Sequence, residues 1–143
     1  MNGNESRLLA QYHVTRALAE AVSLREAAPE ILRSICEPLG WEVGGLWLLD
    51  SPSGELRLAN LWCSPAVHAE PFATASREQV FTRGDGGLPG RVLASGKPAW
   101  ITDVLTDPGF RRAEVAAAAG LHAAFAFPIR FGDAVRGVFD FFS

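Results

Sequence analysis

Residues 7–39 carry apolar side chains at intervals of three and four positions, the spacing of an amphipathic helix. A capping pattern from Ser23 to Glu26 predicts that a second helix starts there, and Gly40 supplies its left-handed end. The stripe on the first helix is nearly heptad-like, so that helix either packs on its own domain or pairs with a second copy of the chain. The stripe consists of Leu8, Tyr12, Thr15, Ala19 and Val22.

Two β-hairpins are predicted in the rest of the chain. Residues 41–50 are apolar on both faces, as in a central strand, and residues 55–63 begin with the alternation of a hairpin partner. Residues 124–131 alternate strictly, with the phenylalanines on one face and alanines on the other. Gly132 and Asp133 then form a two-residue turn into a last strand over residues 134–142.

Several short helices and strands are predicted in the segment between the hairpins. Together with the hairpins, they give an α+β fold with a central antiparallel sheet of five or six strands and helices on its faces. In chain order, the segment is expected to hold a helix interrupted near Pro71, a strand over residues 80–82, a helix over residues 88–95, an edge strand over residues 98–101 and a helix from Asp107 to Ala119.

Composition narrows the classes of function. The chain has 143 residues, 48% of them hydrophobic, which suits one domain with a substantial core. Its 13 basic and 16 acidic residues give a net charge of −3, which argues against nucleic-acid binding. No apolar run is long enough to span a bilayer, and no secretory signal is visible. The two cysteines, Cys36 and Cys63, form no disulfide framework, so we expect a reducing, cytoplasmic setting.

Six of the fourteen glycines fall between Phe81 and Phe110. Glycines there let the backbone turn tightly and approach a neighbour closely. The segment has no nucleophile–base pair, metal cluster or phosphate-loop lysine, so it indicates binding without catalysis. Its backbone N–H groups could cradle an anion, or the loop could be a turn that only positions the helix starting at Leu88. The anion-loop candidates are Arg83, Gly86, Gly87 and Arg91.

Four segments in a fixed order resemble the GAF domain, most of all the GAF modules of bacterial sensor histidine kinases and related signalling proteins. They are R-G-D-G-G-L-P-G-R-V-L-A-S-G-K-P-A-W-I-T-D-V, D-P-G-F-R-R-A, A-A-G-L-H-A-A-F-A-F-P-I and G-V-F-D-F-F. The resemblance covers residues 6–143 as a single domain, and residues 1–5 are expected to be disordered or derived from cloning. It implies N-terminal helices on one sheet face, and short helices with a ligand-pocket loop on the other.

The family's closing C-terminal helix is absent from this sequence, so we expect a domain truncated after its last strand. The sheet face beneath that helix would then be partly bare, which predicts self-association through the N-terminal helix. The resemblance also implies a ligand pocket beside the sheet, lined by apolar and aromatic residues. The candidates are Trp47, Trp62, Phe81, Leu88, Trp100, Phe110, His122, Phe125 and Phe127.

Three enzymatic or cofactor-binding branches of the family depend on residues that this sequence lacks. Methionine sulfoxide reductases of this type carry a cysteine where Pro89 stands here, and neither Cys36 nor Cys63 replaces it. Light-sensing relatives attach a bilin through a cysteine near residues 110–120, where there is none. The N-K-x-F-D-E signature of cyclic-nucleotide-binding members is also missing. The three histidines have no ligand-like spacing, so no metal is expected.

The leading interpretation is a non-catalytic sensory and regulatory module of a bacterial signal-transduction protein, and the isolated domain is not expected to be an enzyme. The output is expected to be a two-component histidine kinase, with a cyclic-dinucleotide cyclase as the second candidate. Expected partners are a second copy of the chain and a downstream signalling domain, without nucleic acid or membrane insertion. No cofactor is expected beyond an unidentified small molecule. The alternatives are a thiol-dependent methionine sulfoxide reductase-like enzyme, a tetrapyrrole sensor, and a ligand-free dimerising spacer.

Overall fold

The computed structural model describes residues 22–50, 53–83 and 87–143. Within these ranges the chain forms four helices and six strands that alternate much as the sequence predicts. Helix α1 covers residues 22–39. The later elements are β1 (Val43–Asp50), β2 (Glu55–Cys63), α2 (Glu70–Glu78), β3 (Val80–Phe81), α3 (Leu88–Ser95), β4 (Ala99–Ile101), α4 (Ala113–Ala118), β5 (Ala124–Phe131) and β6 (Ala134–Phe142).

All six strands form one sheet in the order β3-β2-β1-β6-β5-β4, and every neighbouring pair is antiparallel. This confirms the predicted sheet. The two hairpins, β1–β2 and β5–β6, meet through β1 and β6, where Val43 lies opposite Phe142 and Leu48 opposite Gly137. The predicted edge strand β4 does lie at an edge, where the missing N–H of the preceding Pro98 interrupts no ladder.

The sheet separates two hydrophobic layers, as the resemblance implies. On one face, α1 contributes Leu32 and Cys36 to a cluster with Phe139 and Phe141 of β6. On the other face, α2, α3 and α4 enclose a larger cluster around Trp47. Alternate residues of each central strand therefore contact different helical layers.

A glycine in β1 lets α1 lie close to the sheet. A Cβ added to Gly44 would lie 2.8 Å from Cys36 Sγ and 3.2 Å from a ring carbon of Phe141. A real side chain cannot occupy that position without displacing the helix. The glycine at this point of an otherwise apolar strand thus has a packing function.

Three predicted helix boundaries are wrong. Residue 22 is already helical, so Ser23 lies inside the described part of α1 and is not its N-cap residue. Pro71 lies in the first turn of α2, where its missing N–H is tolerated, so it begins that helix and does not interrupt it. Helix α4 begins at Ala113 and not at Asp107, which instead starts a separate turn: its carboxylate accepts a hydrogen bond from the Gly109 amide and its carbonyl accepts one from the Phe110 amide.

The N-terminal helix stripe is described only at its end. Val22 is 55% exposed, while Leu8, Tyr12, Thr15 and Ala19 lie outside the described residues, as do residues 1–5. Across the part of the chain that the structure covers, no helix is both long enough and apolar enough to cross a membrane.

Candidate functional site

A buried ion pair lies at the centre of the layer between the sheet and helices α2–α4. Arg112, immediately before α4, places Nη2 3.0 Å from Oδ2 of Asp140 in β6, and the two side chains are 1% and 0% exposed. Nη1 of the same guanidinium donates to Ser76 Oγ of α2 at 3.0 Å. One side chain therefore joins a helix, a loop and the central sheet.

Aromatic rings surround this guanidinium. Their centroids lie between 5.1 and 5.5 Å from its central carbon. A cation beside ring faces in a desolvated site is attracted by the ring quadrupoles, which offsets part of the desolvation penalty of burying the charge. We call this group the Arg112 cluster: Arg112, Asp140, Ser76, Trp47, Phe72, Phe81, Phe110 and Phe142.

Burial dominates the electrostatics of the pair. Desolvation raises the pKa of Asp140 and lowers the pKa of Arg112, and in each case the partner's charge and hydrogen bond offset only part of this effect. The second carboxylate oxygen, Asp140 Oδ1, is buried without a hydrogen-bond partner in the described structure. The indole Nε1 of Trp47 helps to stabilise the charge of this carboxylate, although it lies outside full hydrogen-bond geometry. The charges are thus held in place at an energetic cost.

Gly45 of β1 makes room for the carboxylate. It lies directly opposite Asp140 in the sheet, and an added Cβ would lie 2.5 Å from Asp140 Oδ1 and 3.4 Å from Trp47 Nε1. Any other residue at this position would push the carboxylate away from its partner.

The loop that carries Arg112 is fastened to both of its neighbours. Arg91 of α3 donates to both carboxylate oxygens of Asp107, at 2.7 and 3.2 Å. The hydrogen bond from Arg91 lowers the pKa of Asp107, and burial opposes it only in part. The Val104 amide donates to the His122 carbonyl at 2.6 Å, just before β5. The loop before Arg112 is therefore hydrogen-bonded both to α3 and to the chain just before β5.

Four of the predicted pocket residues come together here. Trp47, Phe81, Leu88 and Phe110 all belong to the cluster between the sheet and α2–α4, each at most 5% exposed. Trp47 and Phe81 make an edge-to-face contact with 5.0 Å between centroids. Whether these residues line a pocket for a ligand stays a prediction.

The other pocket candidates lie elsewhere, and grouping them with Trp47 is wrong. Trp62, Phe125 and Phe127 pack in the α1 layer, because in β5 the buried Ala124 and Ala126 face the opposite layer. Trp100 is 70% exposed and stacks on Phe125 at 4.0 Å. The exposed His122 points Nδ1 towards Asp103 at 3.6 Å.

The anion-loop candidates also lie in different places in the structure. Arg91 is paired with Asp107, with 2.7 Å between Nη2 and Oδ1. Gly87 is the N-cap residue of α3 and is buried against the ring of Phe81. Arg83 lines a cavity at the hairpin end of the sheet, and Gly86 lies outside the described residues.

Sequence reasoning missed the charged centre of the site. Arg112 and Asp140 are 28 positions apart, and nothing local pairs them. A signal was present nonetheless, since Asp140 is the single charge in the apolar run V-F-D-F-F over residues 138–142. A carboxylate inside a central strand needs a partner from the layer above it.

The two cysteines lie in the two different layers. Burial raises the pKa of Cys36 to about 12 and also raises the pKa of Cys63. Cys63 faces a half-open cavity of about 430 Å³ beside His68 and Glu70. Among the residues that the structure describes, no three histidine, cysteine or acidic side chains are grouped as metal ligands.

Comparisons with known proteins agree on the family. A sequence model described as a GAF domain matches residues 21–143, and no curated protein matches the chain. One similar structure is the A. aeolicus nlh2 GAF domain in an inactive state, with 24% identity over 83% of this chain and 67% of that one, and a TM-score of 0.66. A second is the GAF domain of the Coxiella burnetii phosphoenolpyruvate-protein phosphotransferase, with 18% identity over 90% and 74%, and a TM-score of 0.64.

A third similar structure is an enzyme, the free methionine-R-sulfoxide reductase from Neisseria meningitidis in complex with its substrate. It has 23% identity over 80% of this chain and 59% of that one, and a TM-score of 0.60. At such identities, these likenesses show a shared fold alone.

Proposed function

Because the chain belongs to the GAF domain family of signalling and small-molecule-binding modules, we propose that it is a non-catalytic sensory domain of a bacterial signal-transduction protein. Its ligand is a small molecule that binds between the sheet and helices α2–α4. Its output is a two-component histidine kinase, and it works in the cytoplasm. Similar folds in GAF domains of bacterial regulatory proteins support this proposal.

The alternation of β6 is the observation that carries the proposal. Val138 and Phe142 belong to the α2–α4 layer together with Asp140, which pairs with Arg112. Phe139 and Phe141 pack against α1 in the other layer. A change around Arg112 that displaces β6 must therefore alter the surface on which α1 packs, since successive side chains of a strand point to opposite faces.

Ligand binding would act by favouring one of two arrangements of the Arg112 cluster. A buried ion pair with an unsatisfied oxygen is a costly arrangement, so a ligand that supplies the missing hydrogen bond, or releases Arg112, gains differential affinity for one state. A ligand shifts an equilibrium only by such a difference. Ligand binding would then change how α1 packs on the sheet.

Dimerisation through the helices is the second part of the proposal. Val22 and Leu39, at the two ends of the described α1, are 55% and 69% exposed. A second copy packed along α1 would remove this apolar surface from water. We place the second copy of the chain there, and the downstream signalling domain of the parent protein receives the change in helix packing.

Native mass spectrometry combined with light scattering tests the proposal. We expect a species of twice the 15.4 kDa chain mass that carries a small-molecule adduct, and we expect Leu39→Lys to favour the monomer. A ligand bound among the aromatic rings would be lost in Phe110→Ala. A bare monomer at high concentration, with no thermal stabilisation by a broad metabolite panel, would contradict both parts. A bare dimer would instead favour the ligand-free spacer.

The reductase alternative has one observation in its favour, the Cys63 thiol that faces a cavity beside His68 and Glu70. Its raised pKa opposes this role, because the thiolate is the attacking species in thiol chemistry. We expect no turnover of free methionine sulfoxide in the presence of a reductant. Turnover that disappears in Cys63→Ser would overturn the non-catalytic assignment, and a visible absorption band in the purified protein would favour the tetrapyrrole alternative.

A further inference from the structure

A second cavity, of about 430 Å³, lies at the hairpin end of the sheet, between the β5–β6 turn and the C-terminal end of α3. Three arginines line it, each from a different part of the chain. Arg130 belongs to the end of β5, Arg136 to the start of β6, and Arg83 to the loop after β3. The cavity shares no residue with the Arg112 cluster.

Arg130 is held in a fixed position by neutral acceptors. Its Nη2 donates to the Gly96 carbonyl at 2.8 Å, and its Nη1 donates to the Asp133 carbonyl at 3.3 Å. Backbone carbonyls orient a guanidinium without cancelling its charge. The side chain is therefore preorganised and still cationic, which lowers the entropy lost when it binds an anion.

Gly96 makes this arrangement possible. Its φ of +67° ends α3 in the left-handed conformation, and an added Cβ would lie 2.7 Å from Arg130 Nη2. Glycine at this position therefore lets the guanidinium reach the end of the helix. The same residue shapes both the helix end and the cavity wall.

The charge balance of the cavity differs from that of the whole chain. Among the residues that the structure describes, the ionisable lining comprises three arginines and Asp133, a formal sum of +2, whereas the chain carries −3. A concave site with an excess of positive charge raises the local concentration of anions. The planar guanidinium donates paired hydrogen bonds to phosphate oxygens, and arginine is favoured wherever such groups are recognised.

We infer that this cavity is a binding site for a small molecule that carries a phosphate group. The volume accommodates more than an inorganic ion, because ligand sites of about 300–1,000 Å³ hold whole small molecules. The half-buried Leu49 and the buried Leu93 supply apolar contact beside the arginines. This site is independent of the proposed ligand site under α2–α4, and either can exist without the other.

Pyrophosphate is the probe, titrated at constant ionic strength and followed by amide NMR shifts and thermal stability. We expect saturable shifts confined to the cavity lining, that is Leu49, Arg83 and residues 93–96 and 130–136. The double variant Arg83→Met/Arg136→Met should weaken binding about tenfold or more, the loss expected when a charged hydrogen bond is removed. Arg33→Met is the matched control, since it removes an exposed arginine from α1 on the other sheet face.

Arg130→Met is a second test of the site. For each variant, the quantity measured is the rise in thermal stability that pyrophosphate causes relative to the same variant without it. Loss of that stabilisation in Arg130→Met and in the double variant, with retention in Arg33→Met, supports the site. Shifts that fail to saturate, that spread over arginines elsewhere, or that survive in the double variant would overturn it. If Arg130→Met does not fold, the double variant decides alone.

Discussion

Replacing Arg112 with methionine is expected to lower the free energy of unfolding by about 3–5 kcal/mol, the range found when one partner of a buried ion pair is removed. The reason is the charge left behind, because Asp140 is completely buried and one of its oxygens already lacks a hydrogen-bond partner in the described structure. Methionine fills part of the guanidinium's space and cannot pair with a carboxylate. Urea denaturation at pH 7 measures the loss.

The stability that Arg112→Met loses should depend on pH, in a direction set by the buried Asp140 carboxyl. In the variant, Arg112 no longer lowers the pKa of Asp140, so desolvation raises that pKa further above the value in the unfolded chain. Between those two values the folded state binds more protons than the unfolded state. Stability contributed by the neutral carboxyl is therefore present at low pH and lost as the pH rises through the folded pKa. The penalty should therefore be larger at neutral pH than in acid.

A double variant separates the charge from the packing. Arg112→Met/Asp140→Leu removes both charges, and the replacement of a buried ion pair by apolar side chains is often neutral or stabilising. We expect this variant to unfold within about 1 kcal/mol of the natural sequence and without the pH dependence above. A double variant as unstable as the single one would show that shape, and not the buried charge, sets the penalty.

Gly87→Ala is expected to destabilise the domain by about 1–3 kcal/mol, the usual range for overpacking a core. The backbone at Gly87 has φ −75° and ψ 157°, which alanine adopts without strain. The penalty comes from Phe81, because the added methyl carbon would overlap two of its ring carbons. Phe81 cannot move aside, since it is 1% exposed and packed edge-to-face on Trp47.

A double-mutant cycle with Phe81→Leu isolates the overlap. The smaller side chain makes room for the methyl group, so Gly87→Ala/Phe81→Leu should be less destabilised than the sum of the two single variants. Gly87→Ala changes the N-cap preference equally with Phe81 or Leu at position 81, so this effect cancels in the cycle. Strict additivity in chemical denaturation would mean that Phe81 does not fix the start of α3.

Local patterns predicted most of the secondary structure. The bounds of α3 and the β5–β6 hairpin follow from residues close in sequence, because Pro89, Gly96 and the Gly132-Asp133 turn mark them directly. The predicted start of α4 at Asp107 was wrong. The Asp107 carboxylate does accept a hydrogen bond from the Gly109 amide as an N-cap would, but the backbone forms only a turn there, and α4 begins at Ala113.

The site was less accessible to sequence reasoning than the fold. Alternation in β5 separates the phenylalanines from the alanines, but it does not say which face α1 covers. The sequence alone therefore does not show that Phe125 and Phe127 belong to the α1 layer. The pairing of Arg112 with Asp140 depends on β6 lying beside β1 under α2 and α4. That arrangement is a property of the whole topology and has no local signature.

The most direct test of whether β6 couples the Arg112 cluster to α1 is hydrogen exchange of the α1 amides in Arg112→Met/Asp140→Leu. The double variant is expected to match the natural protein in stability, so global unfolding does not obscure local changes. We predict altered protection in residues 28–36 of α1, with no such change in Arg57→Met, an exposed substitution on β2. Identical α1 exchange rates in the double variant and the natural protein would contradict the coupling.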